Sequence, residues 1–186
     1  MFDSDLLFLK DYLDKDRHAH EGKTANYEKI IRYLIAAEDH RYYYHPGVDI
    51  IAICRAIYKN LFFHKHEGAS TIEQQLVRVL TNEYERTLKR KLKEIYLALH
   101  LKKYADKETI AIAYLDIAYY GADYQNLKKI LKKFDTSLDR DMSDDVCAEV
   151  VARLKYPEPS QMIEKRREQI IRRKEYIMHR YAKIFG

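Results

Sequence analysis

Apolar residues recur along this chain at spacings of three and four, and almost nowhere in strict alternation. That period predicts helices. A short one is expected over 5–13 with Leu6, Leu7, Phe8 and Leu13 inward, then a polar connection, HAHEGKTAN, at 18–26. Tyr27, Ile30, Ile31, Leu34 and Ile35 mark one face of a helix running from Tyr27 to about Tyr43. Pro46 and Gly47 stop it, and His45, preceding a proline, is pushed out of the helical region. A further helix is expected over roughly 49–62, followed by a polar break, HKHEGAS, at 64–70. Thr71 to Tyr104 reads as two helices with a joint near Thr81–Glu85. In the second, Leu88, Leu92, Ile95 and Leu99 share a face, with Arg86 and Arg90 nearly opposite. Residues 107–119 are expected to be helical and to end near Gly121, and 124–134 (YQNLKKILKKF) to form a short basic amphipathic helix. Ser143, followed by Asp144 and Asp145, is a good N-cap for a helix reaching about Leu154. Pro157 and Pro159 stiffen a loop before a last helix over roughly 161–184, with Ile170, Ile171, Ile177 and Ile184 inward and its arginines and lysines outward. The pattern contains no repeat and no convincing strand, so the fold class is all-α.

Composition agrees with this picture. The 186 residues suit a single domain spanning 1–186, and 47% apolar content supports a core. Only 5 glycines and 3 prolines are present, which fits long helices and short loops, and 17 tyrosines supply surfaces that are apolar along the ring and polar at the tip. A net charge of +5 points to an anionic partner such as a phosphate, a diphosphate or a membrane surface, and its modest size speaks against a nucleic-acid binder. Cys54 and Cys147 lie far apart, with no metal-like spacing. No apolar run approaches the ~20 residues of a spanning helix, and the start, MFDSDLLFLKDYLDKD, carries acids where a signal peptide is basic. The chain therefore reads as soluble, or as the soluble part of an anchored protein.

Three polar constellations interrupt the apolar pattern. In the first, EDHRYYYHPGVD (38–49), Glu38 and Asp39 end an apolar helix; such a carboxylate either acts as a general base or pairs structurally with Arg41. The second, EGASTIEQQLVR (67–78), places Ser70 and Thr71 before a helix, as a cap or an anion site, and puts Gln74 and Gln75 on its first turns. The third, ERTLKRKLKE (85–94), gathers Arg86, Arg90 and Lys91 near Glu94. It is either a surface pair worth ~0.3–0.5 kcal/mol or a seat for a diphosphate. His18 with His20 and His64 with His66 alternate without a third ligand nearby, which argues against metal binding. The basic residues of the last helix, Lys165, Arg166, Arg167, Arg172, Arg173 and Lys174, read as a solvated face or a lipid-headgroup contact.

In order and spacing, EDHRYYYHPGVD, EGASTIEQQLVR, RKLKE and YLDIAYYG resemble four consecutive motifs of glycosyltransferase family 51. That family includes the transglycosylase domains of class A penicillin-binding proteins and the monofunctional peptidoglycan glycosyltransferases. The resemblance is dense from about Ile35 to Gly121 and continues more weakly to the terminal basic helix. It implies a helical, lysozyme-like lobe with a smaller, mobile, membrane-facing lobe on the extracytoplasmic face of a bacterial membrane. The implied reaction polymerises lipid II onto an undecaprenyl-diphosphate-linked glycan with inversion. By motif, Glu38 would be the general base and Glu94 the second carboxylate, which orients the phosphates or a divalent metal, Mg or Mn. Arg78, Arg86 and Lys91 would hold the diphosphate, with Arg90 in the same basic cluster. Asp39, Ser70, Gln74 and Gln75 would line the cleft.

The chain also departs from the family pattern. Ala69 stands where a second glycine is usual, Glu73 for threonine, Arg78 for lysine, Asp116 for asparagine and Tyr42 for phenylalanine. A carboxylate at 73 is expected to repel a diphosphate, so that Glu73→Thr would raise activity. These differences keep open a non-catalytic module on the same fold that binds a lipid diphosphate or a cell-wall partner. A glycan-cleaving enzyme would also use a lone glutamate, but would not need Arg78, Arg86 and Lys91.

Overall fold

Side chains that complete the free backbone groups at helix starts mark most element boundaries. Thr71 accepts from the Gln74 amide while the Gln74 side chain accepts from the Thr71 amide, a reciprocal cap that starts one helix. The side chains of Thr87, Asp106, Asn126 and Ser143 cap four others one way, each accepting from a single backbone amide and each worth about 1 kcal/mol. The computed structural model describes residues 2–20, 27–63 and 68–186. Among them the helices are α1 Asp3–Ala19, α2 Glu28–Glu38, α3 Ile50–Phe63, α4 Ile72–Thr81, α5 Leu88–Leu101, α6 Lys107–Ile117, α7 Leu127–Lys133, α8 Asp144–Lys155 and α9 Glu164–Phe185. No strand occurs among the described residues; isolated bridges tie Gly121 to Tyr124 and to Glu158. His64 and His66, with much of both polar connections, lie outside the described residues.

The all-α class holds, and the core explains how the helices are arranged. Helix α6 buries Thr109 to Leu115 without a break, as a helix enclosed on every side does. Helix α2 buries Ile30, Ile31, Tyr33, Leu34, Ile35 and Ala36. Helices α8 and α9 pack on α2, and α4 packs on α5 and α6. Tyr33 stacks on Tyr181 of α9 with ring centres 4.1 Å apart. These contacts bring the C-terminal end of α2 beside α4 and α9.

Several expectations are corrected. The first helix extends well beyond 5–13 and buries Leu6, Leu9 and Leu13, while Leu7 and Phe8 face out. Positions 6, 9 and 13 form one stripe, and 7 and 8 lie ~100° and ~200° around the helix from 6. Helix α2 stops at Glu38 because Asp39 turns to φ −154°, and a short 3-10 turn, Tyr42–Tyr44, follows. In α9, Ile170 and Ile177 are buried but Ile171 and Ile184 are exposed. The Leu88–Leu92 face of α5 points outward; Leu97, Ala98 and Leu101 supply its buried side. Helix α3 buries only Ala52 and Ala56 and exposes Ile50, Ile51, Ile57, Leu61, Phe62 and Phe63. No helix among the described residues is long and apolar enough to cross a membrane.

Candidate active site

Glu38 is the last residue of α2, and its side chain is 17% exposed. Its Oε1 accepts from Arg173 Nη2 of α9 at 2.8 Å, and the same nitrogen donates to the Ala37 carbonyl at 2.8 Å. Its Oε2 lies 3.4 Å from Gln75 Nε2 of α4. Tyr114 of α6 donates to Gln75 Oε1 at 2.6 Å, which fixes that amide so that its nitrogen faces Glu38. Three helices thus orient one carboxylate. It borders a cavity of about 520 Å³ whose wall also carries Ser70, Gln75, Arg78, Arg173 and Arg180. Arg55, Lys59 and Lys155 line the same cavity, so the space beside the carboxylate is strongly cationic. His40, also on this wall, has its pKa lowered by burial, with the nearby Arg180 and Arg55 acting in the same direction.

The second carboxylate, Glu94, is 2% exposed and held by three cations. Arg78 donates to both its oxygens at 3.1 Å. Lys91 Nζ reaches Oε1 at 2.6 Å and Arg90 pairs with Oε2. Ser70 Oγ accepts from Lys91 at 3.1 Å and lies 3.4 Å from Arg78 Nη2. Burial lowers the Lys91 pKa against the opposing pull of Glu94. Gln75 and Arg78 sit one turn apart on α4, so that helix joins the two carboxylate clusters through one cavity wall.

Of the residues expected from sequence, the structure brings Glu38, Asp39, Ser70, Gln75 and Arg78 to one cavity, and gathers Arg90, Lys91 and Glu94 in the ion-pair cluster beside it. Two others, Gln74 and Arg86, are placed differently, and Asp39 reaches the cavity with its carboxylate turned away. Gln74 is fully buried in the α4 cap and does not reach the cleft. Asp39 borders the Glu38 cavity, but its carboxylate is engaged inward, 3.0 Å from His45 Nε2 and 3.3 Å from the Ile72 amide, where it fastens the start of α4. Arg86 is exposed on the segment joining α4 to α5 and makes no side-chain hydrogen bond or ion pair among the described residues. Glu73 is also turned away. It is 2% exposed and ion-paired with Lys107 of α6, so it presents no charge to the cleft. Sequence reasoning missed Arg173, Arg180 and Tyr114. The available signal for the arginines was their seven-residue spacing, which puts them on one face of α9.

A divalent ion does not fit at Glu94. Both its oxygens already face cations, and no group of three acidic, imidazole or thiol ligands includes it among the described residues. A dication there would have to displace Arg78, Arg90 and Lys91.

In class, then, this is an all-helical protein with one oriented carboxylate on the wall of a cationic cleft and a second carboxylate clamped next to it. Comparison with known proteins carries this further. Residues 12–182 match the model of the transglycosylase family. Over 94 residues the chain is 44% identical to penicillin-binding protein 1A of Escherichia coli, covering 50% of this chain and 11% of that protein. Over 120 residues it is 32% identical to the monofunctional glycosyltransferase of Staphylococcus saprophyticus, covering 64% of this chain and 44% of that protein. Penicillin-binding protein 1A of Rickettsia felis is 43% identical over 98 residues, covering 12% of its length. The chain belongs to the transglycosylase family, and it spans less than half the length of these relatives.

Proposed function

We propose that this protein is a peptidoglycan glycosyltransferase that joins lipid II to a growing glycan carried on undecaprenyl diphosphate. The observation that carries this reading is the Glu38 carboxylate, oriented by Arg173 and Gln75 at the edge of an arginine-rich cavity. Glu38 takes the proton from the acceptor sugar's 4-hydroxyl as that oxygen forms its bond to the donor's anomeric carbon. The bond from that carbon to the diphosphate breaks on the opposite face, so configuration inverts. The departing diphosphate gathers charge, which cations in a partly dehydrated cleft stabilise better than water does. Arg78 is the cation best placed for this, since it borders the cavity while fixed to Glu94.

The exposed apolar side of α3 supports a membrane-facing role for that part of the chain. Such a surface would hold the cleft near lipid-linked substrates on the extracytoplasmic face. The reaction is tested by incubating the protein with labelled lipid II in detergent beside Glu38→Gln and resolving the products on a gel. Wild type is expected to give a ladder of glycan strands. The variant should bind lipid II while turning over about 10²–10⁴-fold more slowly. A ladder of equal intensity from both proteins would remove Glu38 as the base. Binding by both with no ladder from either would favour a non-catalytic lipid-diphosphate module.

A further inference from the structure

Away from the cleft, the C-terminal end of α1 meets α6 through three side chains that the reaction does not use. His20 Nδ1 lies 2.8 Å from the Asp16 main-chain carbonyl, an oxygen that can only accept, so Nδ1 carries the hydrogen. In the neutral ring the lone pair is then on Nε2, which points at Asp116 Oδ2 from 2.7 Å. Two electron-pair donors facing each other at this separation call for a positive centre between them, either a proton or a metal ion. Asp16 completes the set from one turn earlier on α1. Its side chain is 8% exposed, and its Oδ2 is buried with no hydrogen-bond partner. Ligand atoms from all three residues lie within 4.8 Å of one another. Tyr27 donates to both Asp116 oxygens at 3.1 Å, the outer hydrogen bond that commonly orients a carboxylate ligand.

We propose that Asp16, His20 and Asp116 bind a first-row divalent cation of the zinc class, fastening α1 to α6. One imidazole and two carboxylates suit such an ion better than Mg²⁺ or Ca²⁺, which favour all-oxygen shells. Zinc sits about 2.0–2.2 Å from nitrogen and oxygen ligands, so small side-chain rotations bring this set into range and leave a fourth position for water. The cluster borders two cavities, of about 1120 and 370 Å³, which give an ion a route in. Asp116 is what makes the set complete. The asparagine usual at this motif position would offer a neutral amide, a weaker ligand without charge.

The probe is Zn²⁺ alone, titrated calorimetrically into the chelator-treated chain. One ion per chain is expected. Binding should weaken at least about tenfold in Asp116→Asn and in His20→Gln, and stay unchanged in His18→Gln, two residues away on the exposed side of α1. Wild type should also show visible absorption with Co²⁺ in place of Zn²⁺, a reading that does not depend on the variants folding. Absence of saturable Zn²⁺ binding, or of the Co²⁺ spectrum, in wild type would overturn the proposal and leave a proton between His20 and Asp116. Equal affinity in wild type, Asp116→Asn and His20→Gln would place the ion elsewhere and overturn it as well.

Discussion

Replacing Lys107 by methionine should cost more stability than replacing its partner Glu73 by threonine. The asymmetry follows from burial. The Glu73 side chain is 2% exposed and that of Lys107 is 24% exposed. Glu73 Oε2 has no hydrogen-bond partner, so its tie to Lys107 through Oε1 is its main compensation. Methionine keeps the stem that lies over the Tyr42 ring but leaves a buried carboxylate without a cation. Breaking a fully buried pair costs 3–5 kcal/mol; partial exposure of the lysine reduces this to about 2–3 kcal/mol, or roughly 5–10 °C in Tm for a domain of this size. Glu73→Thr strands only the lysine, which can swing toward solvent, so its cost should stay near ~1 kcal/mol. The double variant should recover most of the Lys107→Met loss. Urea unfolding of all four proteins gives the coupling directly. The pH dependence adds a second check. Burial raises the Glu73 pKa, with Lys107 opposing. Between the unfolded and folded pKa values the folded state therefore binds more protons, and stability falls as pH rises through that window. The stability of Glu73→Gln relative to wild type should accordingly improve from pH 4 toward neutrality. A Lys107→Met loss no greater than that of Glu73→Thr, or a Gln variant whose relative stability falls with pH, would refute the buried-pair account.

Arg173→Ala should lower lipid II polymerisation by about tenfold or more while lipid II still binds, because it removes the cation that orients Glu38; unchanged turnover in the gel assay would make Arg173 merely structural. Gly47 adopts φ +127° with its back against the Ala98 carbonyl, so Gly47→Ala should lower the thermal midpoint by more than the equivalent of ~2 kcal/mol, and an unchanged melt would contradict the close packing of that turn on α5. Cys54 is exposed, while Cys147 is buried with its pKa pushed up to about 12 by that burial. A thiol reagent at pH 7.5 should therefore add once to the native chain and twice after unfolding, as counted by mass spectrometry.

What could be read from the sequence depended on whether a pattern was local. Tyr27 to Ile35 announced a buried helix face because its period and its burial coincide. The same period at Leu88, Leu92 and along α3 identified a face but not its direction, since periodicity records that apolar residues share a side and not what covers that side. The family pattern puts Gln74 in the cleft, but Thr71-x-x-Gln74 is also the spacing of a reciprocal cap, and in the fold the cap takes the side chain. Arg173 could not be found this way. It lies 135 residues from Glu38, inside a run of basic residues, and only the packing of α9 on α2 selects it from its neighbours.

The substitutions that looked most hostile to the family chemistry also have a common physical explanation. Glu73 and Asp116 each put a carboxylate where a neutral residue is usual, and neither carboxylate points into the cleft. Each is turned away with a partner of its own, Lys107 for Glu73 and His20 with Tyr27 for Asp116. A charge buried without compensation would cost several kcal/mol, a large share of a domain's total stability, so a chain that acquires one must acquire its counter-charge as well. Burial raises the pKa of both groups; Lys107 opposes it at Glu73, and at Asp116 it is opposed by His20 whenever that ring carries a second proton, and by the Tyr27 hydrogen bond. At the cleft, arginine replaces lysine at 78, which keeps the cation and adds a fork that grips both Glu94 oxygens. The distribution of these departures, compensated in the core and charge-conserving in the cleft, leaves the cations that the proposed reaction needs in place.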